Sequence, residues 1–360
     1  MKKIIFVLPD LSGGGAEKAV LNLYKVFESH LDYECHIVTL SSGVSHEVDP
    51  GCRIHYLNEV QKVSKKGFKR LTYRKKICFA VDDYIENNFG KGCIVLSNMM
   101  FADKVMSKSR HNVIHIIHSV YGESLLSGKN IIRKFFIQKN LENVYGSHPL
   151  VFVSQGACKS FCENFKSNVP KYVIYNPINQ DELLKLAEKD EINIEGKYIL
   201  HLGRFNREKR HDRLLKAFAK INSCAKLVLL GEGKLQSSVF EMAQDMGLKG
   251  RVVFAGFQKN PYPYIKNASL LVLSSDFEAL PTVVLEGASL GVPVVATNCP
   301  GGIEEIVGGD SPSLVPLEEE ALTEAIQDAL CEPQKYISLL DHKFSEKFAA
   351  EKYYEIFSSV

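Results

Sequence analysis

Short apolar runs, each long enough for one buried strand, alternate with stretches of helical period along this whole chain. A strand that is apolar throughout must be covered on both faces. Helices between successive strands supply the crossovers that parallel pairing needs. In the first half the runs at 4–8, 34–40, 53–57, 94–97, 113–117, 150–153 and 172–175 read as strands, with helices between most of them, for example at 16–28 and 131–143. In the second half strands read at 198–202, 226–230, 252–254, 270–273 and 293–296, with helices at 212–221, 235–246, 282–290 and 318–330. The pattern predicts an α/β chain with two doubly wound, Rossmann-like domains. The 360 residues agree, being too many for one ordinary core and suited to two domains of roughly 150–200 residues. The boundaries read as 1–178 and 179–345, with the polar segment Asn176-Pro177-Ile178-Asn179-Gln180 as the hinge. The amphipathic remainder, 346–360, reads as a C-terminal helix crossing back to the N-terminal domain.

Composition excludes several classes. No apolar run approaches the ~18 residues of a membrane span. The opening segment imitates a signal peptide, but Pro9 and Asp10 stop it early and a buried first strand is the better reading. The nine cysteines are odd in number and contain no Cys-x-x-Cys pair, so neither a zinc site nor a thioredoxin-like motif is signalled. Most lie in apolar runs and are expected to be small buried hydrophobes, in a protein of a reducing cytoplasm.

Two open parallel sheets place ligands at the carboxyl ends of their strands. The motifs there carry the chemistry. Leu11-Ser12-Gly13-Gly14-Gly15-Ala16-Glu17 follows the first strand, where backbone N–H groups can approach an anion. Lys18 stands where a dinucleotide fingerprint needs its third glycine, and no Walker Gly-Lys-Ser/Thr follows. A plain tight turn is the competing reading. Gly203-Arg204-Phe205-Asn206-Arg207-Glu208-Lys209 presents a fork and a mobile point charge to a phosphate, or is a solvated basic loop. Ser275-Asp276-Phe277-Glu278-Ala279-Leu280-Pro281-Thr282 leads into a helix that begins near Pro281 and contains Glu286 among apolar neighbours. A carboxylate so placed needs hydrogen-bond donors, from ribose hydroxyls or from a buried ion pair. Pro300-Gly301-Gly302 forms a further anion-friendly turn.

The order of these segments resembles glycosyltransferase family 4 over nearly the whole chain. The resemblance rests on Gly14-Gly15-x-Glu17, Gly203-Arg204…Lys209, Gly231-Glu232-Gly233, Val253-Phe254-x-Gly256-Phe257, Glu278-x7-Glu286 and Pro300-Gly301-Gly302. One residue departs from the family's wording, Ala279 standing where glycine is usual. The resemblance implies a GT-B fold, with the two domains facing a central cleft. It implies a retaining, metal-independent transfer of a hexose or N-acetylhexosamine from a nucleotide sugar, with UDP preferred, and no cofactor beyond that donor substrate. Carried over residue by residue, Arg204 and Lys209 neutralise the leaving diphosphate, Glu286 holds the ribose, and Glu278 contacts the donor sugar. Backbone near Phe257 and Gln258 reads the base. Gly14 and Gly15 approach the phosphate, Gly203 and Leu280-Pro281-Thr282 complete the donor set, and His118 lies near the sugar. Other readings stay open: a GT-B epimerase or phosphorylase, or a non-catalytic nucleotide-sugar-binding protein. A nicotinamide oxidoreductase is disfavoured because Thr39-Leu40-Ser41 ends the second strand without an acidic residue.

Charge is uneven although the net value is only +2. Lys62, Lys65, Lys66, Lys69, Arg70, Arg74, Lys75 and Lys76 are uninterrupted by any acid, and Lys129, Arg133, Lys134 and Lys139 form a second basic group. A solvated helix face is the bland reading, and no nucleic-acid motif accompanies the run. The preferred reading is contact with anionic lipid at the inner face of the plasma membrane, each basic residue contributing about 1 kcal/mol. The acceptor would then be a lipid-linked glycan or a lipopolysaccharide or polysaccharide.

Overall fold

The computed structural model describes residues 2–43, 50–57 and 69–359. The chain separates into two compact units, Met1–Pro177 with Lys343–Val360, and Ile178–His342.

Unit 1 runs β1 (Lys2–Leu8), α1 (Gly15–His30), β2 (Tyr33–Thr39), β3 (Ile54–Tyr56), α2 (Lys69–Phe89), β4 (Ile94–Asn98), α3 (Met99–Met106), β5 (Asn112–Ile117), α4 (Ile131–Val144), β6 (Leu150–Phe152), α5 (Gln155–Asn164) and β7 (Lys171–Val173). Its seven strands are ordered β3-β2-β1-β4-β5-β6-β7, and every pairing is parallel. Ile4, Ile5, Phe6, Val7 and Leu8 are fully buried, as an unbroken apolar strand covered on both faces must be.

Unit 2 runs α6 (Gln180–Ala187), β8 (Tyr198–Leu202), α7 (His211–Ala219), β9 (Lys226–Leu230), α8 (Gln236–Asp245), β10 (Val252–Gly256), α9 (Tyr262–Lys266), β11 (Leu270–Leu273), α10 (Thr282–Ser289), β12 (Val294–Thr297), α11 (Glu304–Val307), β13 (Leu314–Val315) and α12 (Glu319–Cys331). Its six strands are ordered β10-β9-β8-β11-β12-β13, again all parallel. Helix α13 (Glu346–Ser359) then returns to unit 1. Its Tyr353 and Phe357 are buried edge-on against Phe27 of α1, with ring centroids 5.0 and 5.5 Å away.

The α/β, doubly wound reading holds in both sheets. The two-residue β13 and the helix α3 were not foreseen. The cysteine expectation needs correction: four of the nine, Cys35, Cys78, Cys93 and Cys299, are buried, whereas Cys162, Cys224 and Cys331 are exposed. The last three lie on or beside amphipathic helices, where an apolar neighbour in sequence need not be a neighbour in space. Of the basic run, Lys62, Lys65 and Lys66 lie outside the described residues. Lys69 and Arg70 open α2, and Arg74, Lys75 and Lys76 are exposed along it.

Candidate donor site

In each sheet the strand order reverses once, between β1 and β4 in unit 1 and between β8 and β11 in unit 2. Loops leaving the carboxyl ends of two such neighbours part company and leave a crevice for a ligand. In unit 2 both loops carry the charged residues singled out above.

Glycines let the β8 loop fold tightly. A Cβ on Gly231, whose φ is +127°, would stand 2.2 Å from the carbonyl oxygen of Gly203, and one on Gly233 would stand 2.5 Å from that of Phe205. Real Cβ atoms do not approach so closely, so the Gly-x-Gly after β9 is what permits β8's loop to lie against it. Gly203 in turn packs on the stem of Lys209, which a Cβ would touch at 3.4 Å. Phe205 is buried and stacked on His211 at 4.2 Å, and His201 lies edge-on to the same imidazole. Burial holds both histidines neutral, with pKa values of about 4 for His201 and about 2 for His211.

Lys209 is brought by this loop to Glu278 of the β11 loop, and its Nζ donates to Glu278 Oε1. Ser275 Oγ donates to the same oxygen at 2.6 Å. Backbone fixes Glu278 further. Its N–H donates to the Pro300 carbonyl at 3.0 Å, and its carbonyl accepts from Gly302 N–H at 3.1 Å. The Pro-Gly-Gly turn after β12 thus forms a bridge with the Glu278 backbone, centred on Gly301. Ser274 Oγ donates to the Lys209 carbonyl at 2.8 Å and Asp276 N–H to the Glu208 carbonyl at 2.8 Å, so the β8 and β11 loops are stitched together.

Three participants were not foreseen. Arg210 adopts a left-handed φ of 50° at the start of α7 and grips Asp212 through two nitrogens, each at 2.9 Å. It also reaches Asp276 at 3.1 Å, and buried Arg213 donates to Asp276 at 2.7 Å and to the Ser274 carbonyl at 2.7 Å. Asp276 is therefore held by two guanidinium groups and Glu278 by an ammonium. The dense alternation of Arg, Asp and Glu across 207–213 and 276–278 was the available signal, but sequence spacing does not reveal partners across 60 residues or so.

The other expected residues lie around the same strand ends. Glu286 is buried within α10, and its neighbour Gly287 sits so close to β11 that a Cβ would meet Leu271 Cδ2 at 2.6 Å. Leu280 and Pro281 are buried and Thr282 half-buried, with the Pro281 carbonyl accepting the first α10 bonds. Arg204 is exposed. Phe257, after β10, is 44% exposed, an uncommon position for a large aromatic ring. Gln258 turns back to the Ala255 carbonyl at 2.7 Å.

Unit 1 presents a different arrangement. Gly13 takes a φ of 94° and leads into Gly14 and Gly15, which open α1. His118 follows β5, and its Nε2 lies 3.0 Å from Asn98 Oδ1 at the end of β4. Asn98 donates in turn to the Leu96 carbonyl at 2.9 Å. The imidazole therefore carries its proton on Nε2, and burial lowers its pKa to about 4. The chain leaves β4 through Met99, at a left-handed φ of 68°. Behind this pair, buried Asp103 accepts from Ser97 at 2.6 Å and Tyr145 at 2.8 Å and meets His115 at 3.0 Å.

Residues 184–347 match the family model for glycosyl transferases group 1. Across 86% of this chain and 84% of its own length, an N-acetylgalactosamine-N,N'-diacetylbacillosaminyl-diphospho-undecaprenol 4-alpha-N-acetylgalactosaminyltransferase of Campylobacter jejuni is 28% identical. A sucrose-phosphate synthase from Thermosynechococcus elongatus superposes with a TM-score of 0.79 at 19% identity, covering 100% of both chains. HepE of Anabaena, solved in complex with UDP-glucose, does so with a TM-score of 0.75 at 16% identity, also over 100% of both. The order of sheets, the strand-end motifs and these likenesses converge: the chain is a glycosyltransferase of the GT-B type, with residues 184–347 forming its group 1 domain.

Proposed function

We propose that this glycosyltransferase moves a hexose or N-acetylhexosamine from a UDP-sugar to a lipid-linked glycan or a lipopolysaccharide or polysaccharide acceptor, with retention and without a metal. One observation carries the reading: Lys209 and Glu278 are paired at the unit 2 crevice, each fixed by a different loop. An ammonium has three protons to donate, and only one is used on Glu278. Lys209, with Arg204 in the same loop, stabilises the charge that develops on a departing diphosphate. Glu278 accepts hydroxyls of the donor sugar, Glu286 those of the ribose, and Phe257 and Gln258 border the base. In the transfer the bond from the anomeric carbon to the phosphate oxygen breaks. The bond to the acceptor oxygen forms on the same face, and the acceptor's proton passes to the leaving phosphate.

The metal-free reading is favoured by Asp276 and Glu278 already holding cationic side chains, which take the electrostatic role of a divalent ion. The UDP preference draws on the UDP-glucose complex of Anabaena HepE, and the acceptor class on the undecaprenol-linked substrate of the Campylobacter relative. Anionic lipid then meets the basic run of α2, at Arg74, Lys75 and Lys76 with the preceding lysines. UDP release from a panel of UDP-, GDP- and ADP-hexoses, run with EDTA and with manganese, tests the proposal. Release from UDP-sugars undiminished by EDTA supports it. Release only from another nucleotide, or only with added manganese, overturns the corresponding part.

A further inference from the structure

Helix α4 is attached to its unit by one end. Leu141 and Val144 are its buried residues, and Gln138 donates to the Asn164 carbonyl at 2.9 Å. Its first two turns hold no buried residue. There Ile131 is 83% exposed, Ile132 68%, Phe135 54% and Phe136 66%, the densest group of exposed large apolar side chains among the described residues. Positions i, i+1, i+4 and i+5 share one face of a helix, so these four make a continuous apolar surface. Single exposed apolar residues need no explanation, but a contiguous patch does.

Helix formation here does not depend on covering that surface. Asn130 caps the helix by accepting from Arg133 N–H at 2.9 Å, and Phe135 and Phe136 pack edge-on at 5.9 Å. The residues bordering the patch are cationic. Lys129, Arg133 and Lys139 are exposed and Lys134 is half-buried, with Lys139 Nζ 5.9 Å above the Phe135 ring. The acid on this helix, Glu142, lies beyond the patch near the anchored end, paired with Lys139 at 2.9 Å. An apolar face edged by lysine and arginine matches the boundary of an anionic bilayer, where headgroups meet the cations and acyl chains the rings.

We infer that the N-terminal half of α4 inserts into the headgroup–acyl boundary of an anionic membrane, with Ile131, Ile132, Phe135 and Phe136 entering the hydrocarbon. This deepens the membrane part of the proposed function and rests on it for the charge of the lipid. It differs in mechanism: the α2 lysines touch the surface electrostatically, whereas α4 buries apolar area that salt does not screen.

The chain contains no tryptophan, so Phe136→Trp gives a single reporter in the full-length protein. With phosphatidylglycerol–phosphatidylethanolamine vesicles its emission should shift to the blue and be quenched by lipids brominated in the acyl chain. Both responses should persist at high salt in the fraction that stays bound. Phe135→Ser combined with Phe136→Ser should lower the vesicle partition coefficient roughly tenfold or more, with no change in the thermal midpoint because both rings are exposed. Co-sedimentation without blue shift or quenching overturns insertion and leaves the charge contact standing. Insertion surviving reversal of charge at Arg74, Lys75 and Lys76 supports α4 and counts against α2. No binding to any vesicle, with a concentration-dependent dimer abolished by the serine pair, overturns the inference and assigns the face to a second copy. UDP release measured without vesicles reports on the transferase reading separately.

Discussion

The two units solve the same topological problem with different electrostatics. Each has a parallel sheet whose order reverses once, and each turns from strand-end loop to helix on a left-handed residue that is not glycine, Met99 after β4 and Arg210 before α7. At that place unit 2 sets a lysine–glutamate pair backed by two arginines. Unit 1 sets a neutral imidazole hydrogen-bonded to an amide. Topology thus decides where a ligand can lie, and side-chain charge decides which part of it is held. A diphosphate needs fixed cations. A sugar, rich in hydroxyls and without charge, is served by neutral donors and acceptors.

The largest effect should come from breaking the charged side of this contrast. Lys209→Ala should lower turnover by about 10²- to 10³-fold, the scale of losing one electrostatic stabiliser of a leaving group, while the thermal midpoint holds. Steady-state UDP release together with calorimetry measures both, and unchanged turnover would remove Lys209 from the reaction. Glu286→Ala should come next. It should weaken UDP binding about tenfold in a titration, the cost of a hydrogen bond to a charged acceptor. An unaltered dissociation constant would make Glu286 part of the packing of α10 alone.

His118→Ala then sharpens the distinction between units. Turnover should fall about tenfold while UDP affinity in the same titration stays put, because a neutral group near the sugar does not touch the nucleotide. A matching loss of UDP affinity would erase the division of labour.

The smallest effect is on stability and has a definite sign. His118 and His148 in unit 1 have pKa values of about 4, and His201 and His211 in unit 2 of about 4 and about 2. All are lowered by burial below the ordinary histidine value of 6.5. Between pH 6.5 and 4 the unfolded chain therefore binds protons that the folded chain refuses, and stability falls as pH falls, by at most about 1.4 kcal/mol per pH unit for each histidine. Hydrogen exchange at pH 7 and pH 5, read peptide by peptide and corrected for intrinsic rates, should show lower protection at the acid value in both units. Equal protection would mean that these imidazoles already carry protons.

The sheets were legible because an apolar run of strand length has few other uses, and runs such as 4–8 and 270–273 became central strands. Helix α3 was not, and Met99 explains why. A strand-to-helix turn is normally announced by glycine or proline, and here a methionine takes the left-handed conformation and leaves no punctuation. Strand β13 has two residues, too few for any period to show. Within the candidate site, Lys209, Glu278 and the Pro-Gly-Gly turn could be picked out, since each is a chemical group beside a strand end. Their mutual contacts could not, nor could Arg213, whose guanidinium crosses from α7 to the end of β11. Pairings between side chains distant in sequence leave no periodic trace. The exposed face of α4 was hidden for the converse reason, because isoleucine and phenylalanine at helical spacing ordinarily mean core.

The return of α13 to unit 1 has a consequence for how the protein is made. Phe27 and Tyr33 near the start of the chain complete their packing with Tyr353 and Phe357, which the ribosome supplies after all of unit 2. Domains ordinarily fold in the order of synthesis. Here the later-encoded unit is the first to have its whole sequence available. The nascent first unit must wait with an aromatic pocket open, and that interval is when chaperones have an apolar surface to hold.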